Sequence, residues 1–192
     1  ILGTGIKAGI IKCATDHPGV DAFNKKLLQA AATAHRETGV PISTHTTVAN
    51  TSARDQVAVF REFGVDLGRV VIGHLGDSTD LDYLQEILDS GCFIGMDRFG
   101  LEAMLPTDDR VQTVAKLCAK GYAGQMVISH DSCSFQDFFE GSYIEKFAPN
   151  WCYEHVPRDV LPALEAAGVS ARDVTTMMVE NPKRIFSRTG AY

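Results

Sequence analysis

The chain has 192 residues, a net charge of −6 at pH 7, 45% hydrophobic residues and 22% charged residues. These values are typical of a soluble globular protein, and the length predicts one domain over residues 1–192. The mildly acidic balance lacks the basic footprint of a nucleic-acid-binding protein. No apolar run approaches the roughly 20 residues that a membrane span needs. The five cysteines contain no C-x-x-C pair, which favours reduced thiols in a cytoplasmic protein.

Short apolar runs recur along the chain and predict parallel strands. Residues 8–14 form a nearly continuous apolar run, as expected of a strand that is buried on both faces. Four more strands are predicted, in chain order, over residues 40–46, 69–74, 92–97 and 125–131.

Helical patterns separate these strands. The first covers residues 21–38, where apolar residues from Leu27 to Ala34 recur at helical spacing and Gly39 supplies the stop. The Asn181-Pro182 step is expected to end the last long helix. The other predicted helices cover residues 52–63, 79–90, 108–120, 158–167 and 170–179, with a short turn over 183–186. Strands that alternate with helices indicate βαβ units and a parallel sheet.

Five such units fit part of an α/β barrel. A complete (β/α)₈ barrel takes about 250 residues, so we expect this chain to be the C-terminal portion of one. In such barrels the residues at the carboxyl ends of the strands converge on one face, and that face carries the chemistry. The predicted strands end at or beside five polar residues on this face: Lys12, His45, His74, Asp97 and Asp131.

His45 and His74 are the strongest candidates for metal ligands. Neutral imidazole is a common ligand of zinc and similar ions. A single histidine at a strand end is more often structural, but two at equivalent positions in successive units favour a shared site. Asp131 adds a carboxylate that could ligate a metal and accept a proton from bound water, although it could also cap the following segment.

Other polar residues are open to several interpretations. Lys12 could bind an anion or form a Schiff base, and only a carboxylated Lys12 could bridge two metals, because an ammonium group has no lone pair. Arg98 could pair with Asp97 or with Glu102 on the surface. Three further histidines are expected at the surface: His17, His35 and His155.

Several segments resemble the phosphotriesterase family of the amidohydrolase superfamily, and most strongly its phosphotriesterase-like lactonase branch. They are GIKAGIIKCAT, GVPISTHT, GVDLGRVVIGHLGD, IGMDRFG, VISHDSC and the closing MMVENPKRIFS. The resemblance implies a (β/α)₈ barrel with two divalent ions, most often Zn, with Fe, Co or Mn as alternatives. It implies that Lys12 is an N6-carboxylysine bridging both ions and that His45 and His74 hold the more exposed one. Asp131 would hold the more buried ion and take the proton of the bridging hydroxide.

The resemblance also implies what lies outside this sequence. The remaining ligands of the family are a His-x-His pair at the end of the first strand, and this sequence contains no His-x-His. Strands 4–8 of the barrel are therefore expected here, and the first three units are not. In the complete protein the resemblance implies a homodimer.

Three features point to the lactonase branch. Lactonase-like members keep an arginine at the place of Arg98, near the substrate pocket. The loop over residues 100–106 is short, and residues 132–139 resemble the loop that lines the acyl-chain channel, with Phe138 as a candidate lining residue. The aromatic side chains of this region could equally pack beneath the long loop: Phe135, Phe138, Phe139, Tyr143 and Trp151. The implied reaction is hydrolysis of lactones such as N-acyl-homoserine lactones by a metal-bridging hydroxide. Two alternatives remain: a phosphotriester or other ester hydrolase with the same site, and an inactive fragment that needs the missing strands.

Overall fold

The computed structural model describes residues 3–133, 137, 142–187 and 190–192. Its centre is a parallel sheet in which the five strands are neighbours in chain order. The strands are β1 (Ile11–Ala14), β2 (Ile42–His45), β3 (Val70–Ile72), β4 (Phe93–Met96) and β5 (Met126–Ile128). All five predicted strands are present, each shorter than predicted.

The predicted helices are present, together with an additional short helix that the sequence did not predict. In chain order the helices are α1 (Ala22–Thr38), α2 (Ser52–Glu62), α3 (Leu81–Asp89), α4 (Thr107–Ala119), α5 (Tyr143–Phe147), α6 (Leu161–Ala166), α7 (Ala171–Thr175) and α8 (Asn181–Phe186). The additional helix is α5. Among the described residues no helix is long and apolar enough to cross a membrane.

Local sequence explains where α1 begins and ends. Asp21 precedes the helix and its side chain accepts a hydrogen bond from the Asn24 N–H, at 2.7 Å. Gly39 follows the helix with φ of 68° and donates its N–H to the His35 carbonyl. Both are common devices for satisfying free backbone groups at helix ends.

The two faces of the sheet differ in character. The outer face packs against the helices through the fully buried strand side chains of Ile42, Ile72 and Ile94, with helix side chains such as Leu84 of α3 in the same core. Burial of each such side chain contributes about 1.5–3 kcal/mol. Small and polar residues alternate with these along the strands and line a cavity of about 390 Å³: Lys12, Ser43, Gly73, Gly95 and Ser129 are among them.

The predicted break at Asn181-Pro182 is wrong. Helical turns continue from α7 through a π-helical segment, Thr176–Glu180, into α8. Proline normally clashes with the carbonyl four residues before it. The wider π turn directly before Pro182 is the kind of local adjustment that accommodates such a residue.

Two of the three histidines expected at the surface are buried, and only His17 is exposed. The His35 Nδ1 atom lies 2.7 Å from the Val40 carbonyl oxygen, and the His155 Nδ1 atom lies 2.8 Å from the Asp159 carboxylate. Each imidazole therefore has a polar partner on one nitrogen, which lowers the cost of burying it.

Candidate metal centre

The two predicted histidine ligands meet at the carboxyl end of the sheet. His45 is the last residue of β2, and His74 follows the end of β3 by two residues. Their ring centroids lie 4.6 Å apart, in an edge-to-face arrangement with an interplanar angle of 77°. Parallel neighbouring strands thus bring together side chains that are 29 positions apart in sequence.

Asp97 fixes the orientation of His74. Its Oδ1 atom lies 2.8 Å from the His74 Nδ1 atom, and its Oδ2 atom accepts the backbone N–H of His74 at 3.0 Å. Both residues are buried. A carboxylate that holds one imidazole nitrogen directs the other, Nε2, outward as a ligand. The sequence placed Asp97 among the strand-end residues of a kind that can hold a metal, but it did not predict the hydrogen bonds to His74.

His45 is half-buried, and its surroundings favour the neutral ring. Burial lowers the pKa of His45, and the neighbouring His74 and Arg98 lower it further. Both effects act against the charged form. Neutral imidazole is the form that ligates a metal.

Arg98 joins two carboxylates at this end of the sheet. Its Nε atom donates to the Asp131 Oδ2 atom at 3.2 Å, and its Nη1 atom donates to Asp77 at 2.9 Å. The expectation that Arg98 pairs with Asp97 or Glu102 is therefore wrong. The reason is geometric, since the loop after β3 brings Asp77 beside the end of β4. The Asp131 Oδ2 atom lies 3.9 Å from the His74 Nδ1 atom.

Three site residues have unusual backbone conformations. His74, Arg98 and Asp131 have φ angles of 64°, 64° and 55°. Residues other than glycine seldom adopt positive φ, and such strain concentrates at functional sites. The three residues follow three successive strands, β3, β4 and β5.

Lys12 lies on the same inner face. Its side chain is exposed, and its Nζ atom donates to the Thr44 carbonyl oxygen at 3.2 Å. In the sheet Lys12 is paired with Ser43, two residues before His45. Lys12, His74, Asp97 and Asp131 all line the cavity of about 390 Å³.

The donor atoms fit divalent ions in kind. Two adjacent imidazoles, one with its tautomer set by Asp97, and the half-exposed carboxylate of Asp131 are ordinary ligands of zinc and related metals. Within the described ranges, no three His, Cys, Asp or Glu side chains converge closely enough to hold an ion alone. The described groups therefore fit part of a metal site.

Most of the aromatic residues that could line an acyl-chain channel are not among the described residues. Phe135, Phe138 and Phe139 lie outside the described residues. Trp151 is buried, and its indole N–H donates to the His130 carbonyl oxygen at 2.7 Å. Among the described residues Trp151 thus packs against residues 130–132, which follow β5.

A parallel sheet whose strands follow one another in chain order, with imidazoles and carboxylates gathered at its carboxyl edge, is typical of the α/β-barrel class. Comparison with known sequences gives the family: the family model described as "Phosphotriesterase family" matches residues 1–186. The chain belongs to the phosphotriesterase family, whose enzymes are binuclear metal-dependent hydrolases.

Individual relatives agree with this assignment. A phosphotriesterase homology protein of Mycobacterium tuberculosis is 50% identical over 192 residues, which cover 100% of this chain and 59% of the relative. An aryldialkylphosphatase of Saccharolobus solfataricus is 42% identical over 97% of this chain and 60% of its own length.

Solved structures confirm the predicted fold. The phosphotriesterase structure from M. tuberculosis has a TM-score of 0.97 and 50% identity, covering 100% of this chain and 59% of that one. A mutant of a phosphotriesterase-like lactonase from Deinococcus radiodurans has a TM-score of 0.86 and 36% identity, covering 97% and 59%. The five strands are part of a (β/α)₈ barrel, and the chain spans about three fifths of the length of its relatives.

Proposed function

We propose that Lys12, His45, His74 and Asp131 are four of the ligands of a binuclear metal site that hydrolyses lactones. The observation that carries this proposal is the paired imidazoles of His45 and His74, 4.6 Å apart at the carboxyl edge of the sheet. Asp131, 3.9 Å from His74, brings a carboxylate to the same place. The remaining ligands belong to the complete protein.

The placement of Lys12 supports its assignment as a bridging ligand. It lies on the inner face of β1, one strand from His45, and lines the same cavity as His74 and Asp131. Free lysine cannot ligate a metal. We therefore propose that Lys12 is carboxylated on Nζ in the complete protein and that the ions are Zn, with Fe, Co or Mn as alternatives.

The bound metals would supply an activated hydroxide and a Lewis acid for the carbonyl oxygen. His45 and His74 contribute neutral nitrogen ligands, and Asp97 keeps the His74 ring in the tautomer that leaves Nε2 free. Asp131 takes up the proton at its carboxylate oxygen. Arg98 holds that carboxylate through its Nε atom and so sets the direction from which the proton arrives.

Two features favour a lactone over a phosphotriester. Arg98 follows the end of β4 by two residues, is only partly exposed, and contacts Asp131, which lines the cavity. The loop over residues 100–106 is short, and the exposed Met104 Sδ atom lies 3.9 Å from the Arg98 Nη1 atom. An apolar side chain beside a cation suits an ester with an aliphatic tail.

Phosphotriester hydrolysis is the second candidate. It is favoured by the 42% identity to an aryldialkylphosphatase. Both reactions use a hydroxide attack on an electrophilic centre, and the same ligands would serve either.

Parallel kinetics on the complete, metal-loaded protein separate the two candidates. The substrates are an N-acyl-homoserine lactone, a simple aliphatic lactone and a paraoxon-type triester. The proposal predicts kcat/KM for the lactones at least about tenfold above that for the triester, a difference of about 1.4 kcal/mol in transition-state stabilisation. The reverse order would favour the second candidate.

The complete protein is proposed to be a cytoplasmic homodimer with one set of metals per chain. The opposing possibility is that the 192 residues alone form an inactive fragment. Gel filtration and metal analysis of the isolated chain and of the complete protein distinguish these cases. Two bound metals in the isolated monomer would contradict the need for further ligands.

A further inference from the structure

Arg110 is a charged residue with no exposed surface. It lies in the first turn of α4 and is among the largest fully buried side chains of the protein. A buried cation is tolerated only where it is paired and fully hydrogen-bonded. Its contacts therefore show what the buried charge is for.

The guanidinium group connects the loops that carry the site residues. Its Nη1 atom donates to the Gly76 carbonyl oxygen at 2.7 Å and to the Asp97 carbonyl oxygen at 3.0 Å. Its Nε atom donates to the Leu105 carbonyl oxygen at 3.0 Å. These carbonyls belong to the loop after β3, the end of β4 and the segment that leads into α4.

The fourth contact reaches a site carboxylate. The Arg110 Nη2 atom lies 2.7 Å from the Asp77 Oδ1 atom, in an ion pair that is not a well-aligned hydrogen bond. The other Asp77 oxygen accepts the Nη1 atom of Arg98, which in turn holds Asp131. A continuous chain of charges thus runs from Arg110 through Asp77 and Arg98 to Asp131.

We infer that Arg110 is a positioning residue: through Asp77 and the Gly76 and Asp97 carbonyls, it sets the placement of Arg98, Asp131 and His74. The inference rests on the proposed function and extends it to a residue that does not line the cavity. Arg110 holds the Asp97 carbonyl, and the Asp97 carboxylate holds the His74 ring. The same guanidinium group therefore acts on His74 through Asp97 and on Asp131 through Asp77 and Arg98.

Lysine cannot replace this function. A guanidinium presents five N–H donors in a rigid planar fork, whereas an ammonium group is one point charge with three donors. Arg110→Lys keeps the positive charge opposite Asp77 and is therefore expected to fold. It cannot reach the carbonyls of Gly76, Asp97 and Leu105 at the same time.

Arg69 provides a matched control. It is also a buried arginine, but it precedes β3 at the opposite end of the sheet, where its Nη2 atom donates to the Ile185 carbonyl oxygen at 3.1 Å. Arg69→Lys tests the cost of the same substitution at a buried arginine that contacts α8 and not the loops that carry the site residues.

The experiment compares Arg110→Lys, Arg110→Gln and Arg69→Lys in the complete protein. It measures Tm, kcat and KM for the lactone, and crystal structures of the folded variants. We expect both Lys variants to lose thermal stability. Only Arg110→Lys should lower kcat, by about 10- to 100-fold as removal of an orienting group does, and Arg110→Gln should lower it further. In the crystal the contact between Arg98 and Asp131 should lengthen beyond hydrogen-bond distance.

Three results would overturn the inference. Arg110→Lys could keep kcat within about twofold of the wild type. It could keep the Arg98–Asp131 contact, or Arg69→Lys could lose as much kcat as Arg110→Lys. If Arg110→Gln does not fold, Arg110→Lys decides alone. A wild-type protein that hydrolyses neither lactone nor triester would contradict the proposed function, whereas the crystal comparison would still test the positioning.

Discussion

The two ends of the sheet use buried polar residues in different ways. At the amino end, α8 and the turn before β3 direct their polar side chains to backbone carbonyls. The Asn181 side-chain amide donates to the Ala123 and Met126 carbonyl oxygens, and Arg69 donates to Ile185. At the carboxyl end Arg110 also donates to backbone carbonyls, but there side chains hold other side chains as well: Asp97 holds His74, and Arg98 holds Asp131.

This difference separates stability from chemistry. At the amino end the side-chain donors form hydrogen bonds to backbone carbonyls, and these bonds join α8 to the sheet. At the carboxyl end, each pairing leaves a ligand atom available, such as the His74 Nε2 atom. In barrel enzymes the carboxyl face carries the reaction and the opposite face contributes stability. Substitutions at the two ends should therefore affect different measurements.

The largest expected effect is loss of activity at the carboxyl end. His74→Ala or Asp131→Asn in the complete protein removes a proposed ligand. Since loss of an orienting group alone costs about 10- to 100-fold, either change should lower kcat/KM by more than that. Turnover and bound metal are measured after reloading with zinc. Wild-type turnover in metal-replete buffer would exclude these residues as ligands.

Asp97→Ala should have a smaller effect of the same kind. It removes the carboxylate that fixes the His74 tautomer, 2.8 Å from the Nδ1 atom. We expect metal affinity and kcat to fall by about 10- to 100-fold, as measured by chelator competition and steady-state kinetics. Asp159→Ala is the matched control, because Asp159 also pairs with a buried histidine, His155. Equal losses in both variants would contradict a specific role for Asp97.

Asn181→Ala should affect stability and not the reaction. The change leaves two buried carbonyl oxygens, of Ala123 and Met126, without their donor. Each lost partner costs about 1–3 kcal/mol, so the free energy of unfolding should fall by a few kcal/mol. Urea denaturation measures this change. A drop in kcat of tenfold or more in the folded variant would show that the two ends are coupled.

The smallest effect concerns alkaline pH. Burial raises the pKa of the Cys92 thiol to about 11, above its ordinary value of 9.0. As the pH rises, the thiol of the unfolded chain loses its proton before that of the folded chain. The contribution of Cys92 to the free energy of unfolding is therefore intact below pH 9 and declines as the pH rises towards 11. The loss should be about 1–3 kcal/mol by pH 11. Denaturation of the wild type and of Cys92→Ala between pH 8 and pH 11 checks this. The same dependence of the free energy of unfolding on pH in both proteins would contradict it.

The order of elements was predictable from sequence, since buried parallel strands and amphipathic helices leave strong periodic patterns. The strand ends at His45 and His74 were predictable for the same reason. The pairing of Arg98 with Asp77 was not, because it depends on how the loop after β3 folds over the end of β4. The positive φ angles of His74, Arg98 and Asp131 leave no mark in residue type.

Buried polar residues were the main failure of prediction from sequence. His35 and His155 were expected at the surface, where polar residues usually lie, and nothing in the sequence singled out Arg110. Each is buried beside a polar partner: the Val40 carbonyl five residues along for His35, and Asp159 one helical turn along for His155. Arg110 is held by carbonyls that include the distant Gly76. The continuation of the helix through Pro182 was missed because it depends on a π turn.

The most direct test of the metal site is anomalous diffraction from crystals of the complete, metal-loaded protein, collected at the zinc absorption edge. The account predicts two anomalous peaks per chain at the carboxyl edge of the sheet. One peak should lie within ligand distance of both His45 and His74, at about 2.0–2.1 Å from each nitrogen, and density for a carboxylated Lys12 should lie between the two. An active protein with no peak beside these two histidines would contradict the account.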